Sequence, residues 1–116
     1  MKLRAVTADE VEFEDTFEEE TADLRNDKVA REHEDEMIER LERGDITAWC
    51  ILAVRVHWKG HTGYAALCGY TFPEGRTGIQ NQEYASEDMA QLRIEALEDL
   101  NRTLQEQADL LEGLRA

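Results

Sequence analysis

Side chains able to do chemistry are plentiful in this 116-residue chain, but their spacing assembles little of it. His57 and His61 flank a glycine-containing turn, and a metal held there would need further ligands close by. Cys50 and Cys68 lie toward the other end of the same segment, so thiols and imidazoles match no known ligand spacing; no metal and no cofactor are expected. His33-Glu34-Asp35-Glu36 lacks the second histidine of a zinc-protease helix and reads as a solvated helix face. Gly60-His61-Thr62-Gly63 is a turn rather than a phosphate loop, and no serine sits in a nucleophile-elbow sequence. The carboxylates are numerous, yet none has the apolar, pocket-like surroundings that would tune it for acid–base work. The expectation is a protein that is not an enzyme.

What the carboxylates do make is a field. The net charge is −14, and it is unevenly placed. Residues 9 to 45 hold 17 acidic and 5 basic side chains, a balance of −12, while residues 46 to 116 hold 10 acidic and 6 basic. Such a surface repels nucleic acid and anionic membranes and attracts a basic partner, so direct binding to either polyanion is not expected. One reading of the run is a solvated face that keeps the protein soluble. The other is a surface that imitates the phosphate pattern of a nucleic acid and occupies the channel of a basic protein. Glu18, Glu19 and Glu20, with Glu32, Asp35, Glu36 and Glu39, are the candidate partner-binding residues.

These side chains need elements to carry them. Residues 46 to 70 are the one long apolar run, and they read as an antiparallel hairpin about the turn Lys59-Gly60-His61-Thr62-Gly63. Ala48, Cys50, Leu52, Val54, Val56 and Trp58 alternate onto one wholly apolar face, which must be buried. Trp49, Ile51 and Ala53 begin the other face, which turns polar at Arg55 and His57. Both cysteines fall at positions that look buried, as free thiols, with a cross-strand disulfide as the alternative. Before the hairpin, Val11 to Phe13 reads as a short edge strand and Glu18 to Glu20 as a solvated link. A helix then starts between Thr21 and Asp27 and ends at Arg43, with Gly44 as its C′ residue and Arg40 and Arg43 suiting the helix dipole. After the hairpin, Thr71 to Ala85 reads as a long loop, extended around Ile79 and pinned by Phe72 and Tyr84. Ser86 then N-caps a helix running to about Leu111 along a stripe of Met89, Leu92, Ala96, Leu97, Leu100 and Leu104.

The pattern Gly44-Asp45-x-x-Ala48-Trp49-Cys50, Val54-x-Val56-x-Trp58-x-Gly60-x-x-Gly63 and Leu67-Cys68-Gly69-Tyr70, with Glu87-Asp88-Met89 and Ala96 to Asn101, resembles small uncharacterised proteins of bacteriophages and prophages. The likeness spans roughly residues 30 to 104 and is structural: turn glycines, core aromatics and a helix. It implies origin on a mobile element and carries no catalytic residue. By analogy, small acidic phage proteins such as anti-CRISPR proteins act against host machinery.

The sequence thus predicts one α+β domain over residues 1–116: a helix, an antiparallel hairpin with a short N-terminal edge strand, and a long C-terminal helix, the helices on one sheet face. The expected function is non-enzymatic inhibition of a basic nucleic-acid-handling protein, such as a CRISPR effector complex, through the acidic face. The rival is a structural or assembly protein whose acidity serves solubility. With no apolar run near the roughly 20 residues of a membrane span and no signal-peptide pattern, a cytoplasmic location is expected. The last helical turns should overhang the small sheet, leaving Leu104, Leu110, Leu111 and Leu114 as a seam for a homodimer; a frayed terminus is the alternative.

Overall fold

Alternation along the central strand gives the sheet its buried side, and in the computed structural model Cys50, Leu52, Val54 and Val56 are fully enclosed. The structure describes residues 1–19, 34–74 and 78–115. Three strands, β1 (Glu12–Glu19), β2 (Cys50–Trp58) and β3 (His61–Tyr70), form an antiparallel sheet in the order β1-β2-β3. Among the described residues, three α-helices, α1 (Glu34–Glu42), α2 (Gly78–Tyr84) and α3 (Ser86–Glu112), complete the α+β architecture. None of the described helices is long and apolar enough to cross a membrane.

β1 is longer than the Val11–Phe13 strand the sequence predicts, and Glu18 and Glu19 belong to it instead of to a link. The cause is Phe17. It stands opposite Leu52, as Phe13 stands opposite Val56, so both phenyl rings share the buried side and the pairing continues to Glu19 opposite Cys50. Glu12, Glu14, Thr16 and Glu18 alternate onto the other side, here called the outer face.

The hairpin turn is also tighter than predicted. Lys59 (φ 45°) and Gly60 (φ 80°) alone reverse the chain, both left-handed as a two-residue hairpin loop requires. His61 to Gly63 therefore belong to β3. Gly63 is needed for a different reason than turning: α3 lies directly on it. A Cβ there would be driven into the Ala96 carbonyl oxygen and to 2.8 Å from the Leu100 backbone nitrogen. Toward the end of β3 the register shifts, Leu67 pairing with Leu52 of β2 but Tyr70 with Cys50, which breaks the alternation. Cys50 is buried as expected, but Cys68 is exposed on this edge strand; neither is part of a disulfide.

α3 packs on the sheet through Met89, Leu92, Ala96 and Leu100. Residues 71–85 are not one long loop. Positions 78–84 are helical, Ile79 among them, because Gln80, Gln82 and Glu83 are good helix formers and the chain passes almost directly into α3. Ala85 N–H donates to Asn81 O and Met89 N–H to Ala85 O, so Ser86 is the first helical residue and not an N-cap. Phe72 is fully buried as expected, its ring 5.0 Å from those of Phe17 and Tyr70 and 5.8 Å from Tyr84.

The N-terminal residues form a strap along α3. Asn101 accepts from Val6 N–H at 2.8 Å and donates to Val6 O at 3.0 Å. One turn on, Gln105 accepts from Leu3 N–H at 2.9 Å and donates to Met1 O at 2.6 Å. Each side-chain amide thus serves a backbone segment as a strand neighbour would.

α1 meets the sheet at the start of β2, where Met37, Ile38 and Leu41 pack on the buried Trp49. Gly44 follows it with left-handed backbone, as expected. Arg40 is 3% exposed, and so is not simply a charge placed at the helix end. Its Nε donates to Asp45 Oδ2 at 3.0 Å and its Nη2 to Thr47 Oγ1 at 3.3 Å. Burial alone would raise the Asp45 carboxyl, but hydrogen bonds from Thr47 and Arg40 outweigh it and hold the group below its ordinary range.

Candidate binding surface

The seven acidic candidates divide by element. Glu18 and Glu19 are on β1, and Asp35, Glu36 and Glu39 are on α1; Glu20 and Glu32, together with the expected start of the first helix, lie outside the described residues. The Glu19 and Asp35 side chains are also outside them. Glu36 and Glu39 are exposed, three residues apart on one helical face. Glu18 is half-buried and already engaged: Arg55 Nη1 donates to its Oε1 at 2.6 Å, and that bond first of all lowers the carboxyl's pKa. The Arg55 guanidinium also sits 4.9 Å above the Tyr64 ring.

The acids N-terminal to Glu18 lie outside the seven candidates. Glu12 and Glu14 are exposed on the outer face of β1, Glu14 lying 3.2 Å from His57 Nε2. Asp15 faces the other way, among the inward residues, and forms an ion pair with Arg93 of α3, whose Nε donates to Asp15 Oδ1 at 3.2 Å. The Arg93 guanidinium lies 5.4 Å from the Phe13 ring centroid. A signal for this was present: Asp15 breaks the apolar phase set by Phe13 and Phe17, and a charge in that phase requires a partner.

This ion pair spans a groove between β1 and α3 of about 790 Å³, walled by Phe13 and Phe17 on one side and Met89, Ile94 and Leu97 on the other. The groove exists because α3 lies over β3 and β2, seated on Gly63, while β1 extends beyond it. Ile94 is 53% exposed at its mouth. Among the described residues, no three His, Cys, Asp or Glu side chains are grouped to hold a metal ion.

The proposed seam of the long helix also divides. Leu104 is half-buried against the core, whereas Leu110, Leu111 and Leu114 are 72%, 64% and 77% exposed. The chain matches no known protein family, no curated protein and no solved structure.

Proposed function

We propose that the protein is a non-enzymatic inhibitor that binds a basic, nucleic-acid-handling protein through its acidic N-terminal third. The observation that carries this reading is the concentration of −12 within residues 9 to 45. Glu12 and Glu14 on β1 and Glu36 and Glu39 on α1 offer exposed carboxylates from that region. Opposed potentials of this kind speed encounter and select partners by sign. A nucleic-acid-occupied channel, such as that of a CRISPR effector complex, has the required positive lining, and the mobile-element resemblance of the hairpin pattern fits a role against host machinery.

The second reading is a structural or assembly protein of a mobile element, and a specific observation favours it. Glu18 and Asp15 spend their charge on Arg55 and Arg93 within the fold. A pull-down from host lysate at low and high salt separates the two readings. Capture of a nuclease complex that weakens as salt rises supports the inhibitor. A captured partner that stays bound when Glu12, Glu14, Glu32, Asp35, Glu36 and Glu39 are all changed to lysine rules out the acidic face as the contact.

A further inference from the structure

β1 is an edge strand: among the described residues its one strand neighbour is β2. An edge presents unpaired backbone groups, and proteins discourage accidental pairing there with charges. β1 carries five acidic residues in eight and no basic one, so a second copy of this chain is repelled from it. The same charges invite a strand of the opposite sign.

The two sides of β1 demand different things of such a strand. On the outer face, Glu12 and Glu14 are exposed and would lie beside the newcomer's outward side chains. On the inner side, the newcomer's side chains would enter the groove beneath Ile94 and Leu97, next to Phe13 and Phe17. Arg93, already paired with Asp15, adds little net charge there. Because side chains alternate between faces, one extended segment meets both demands when basic and apolar residues alternate along it. The groove volume falls within the roughly 300–1,000 Å³ typical of ligand pockets.

We propose that β1 and the β1–α3 groove form a strand-addition site for a short extended segment of a basic partner, in which Lys or Arg alternates with Val, Ile or Leu. Backbone pairing along β1 supplies registration, the groove takes the apolar side chains, and Glu12 and Glu14 take the basic ones. This proposal rests on the acidic-face reading and narrows it to one element and one sequence pattern.

Calorimetric titration of the full-length chain with three synthetic peptides tests it: an alternating octapeptide, a block peptide of the same composition, and oligolysine. The alternating peptide should bind at least about tenfold tighter than the block peptide, a difference of about 1.4 kcal/mol. Ile94→Glu, at a position exposed enough to leave the fold intact, should remove that advantage. N-methylation of one alternate set of peptide amides should abolish binding while the other set is tolerated. Equal affinity of alternating and block peptides, or unchanged binding by Ile94→Glu, overturns strand addition. If all three peptides bind alike and lose affinity together in Glu12→Lys/Glu14→Lys, strand addition fails and the acidic-face reading stands. If none binds, both fail.

Discussion

Gly63 is the residue on which the packing of the long helix turns. Its missing side chain lets Ala96 and Leu100 of α3 sit against the β3 backbone. Gly63→Ala should force helix and strand apart at a fully packed contact and cost about 1–3 kcal/mol, the usual scale of overpacking. Chemical denaturation of the two proteins checks this; a loss below a few tenths of a kcal/mol would mean that the helix is not seated as described. Asp45 makes a second prediction at this scale. Its folded pKa is depressed below the unfolded value of about 4, so the stability it contributes is present above that pH and drains as pH falls through the folded value. Asp45→Asn should therefore melt below the wild type at pH 7, and the gap between the two melting temperatures should close on acidification. A gap that stays constant down to pH 3 would show that the carboxylate charge is irrelevant to the Arg40–Thr47 network.

Among the elements, the central hairpin and the long helix were legible because each repeats one signal many times. β2 buries every second residue from Cys50 to Val56, and α3 carries an apolar stripe over several turns. The shorter elements were not. β1 hides its alternation behind Asp15, whose partner is 78 positions away. α2 is seven residues long, below the length at which periodicity speaks. The groove, which depends on where α3 lies across the sheet, has no local signal at all. The N-terminal strap was illegible for another reason: backbone groups of residues 1 to 6 bind amide side chains about a hundred positions away, and any sequence can offer its backbone. The strap predicts that Asn101→Ala, losing two partly buried hydrogen bonds to Val6, costs about 1–3 kcal/mol. Thermal melting checks the loss. If strapping is the cause, a chain lacking residues 1–6 should show almost no further effect of the substitution.

For the whole molecule, the exposed end of the long helix bears on whether it meets a second copy of itself. Leu110, Leu111 and Leu114 expose apolar surface beyond the sheet, and we expect two copies to pair these helix ends. Light scattering at tens of micromolar should give a dimer mass for the wild type and a monomer mass for Leu111→Glu/Leu114→Glu. A wild-type monomer ends that idea. Point substitutions are the right instrument, since cutting the helix after Asn101 would also remove Gln105, which holds Leu3 and Met1. Leu104, half-buried within one copy, should contribute least to the seam.

The strap and β1 also imply an order in time. β2 and β3 follow one another directly across the Lys59-Gly60 turn. β1, by contrast, must close the distance from Thr16 to Ala53, and the strap that from Val6 to Asn101. Loop closure over longer separations costs more entropy, and β1 has a strand neighbour on one side only among the described residues, so β1 and the strap should lock after the β2–β3 hairpin and release before it. Native-state hydrogen exchange would then show β1 amides opening at lower free energy than those of β2. Equal protection across the two strands would mean that the whole sheet opens as one unit. A late-locking edge would make the most acidic strand also the most readily exchanged, so a partner could capture it during these brief openings without unfolding the rest.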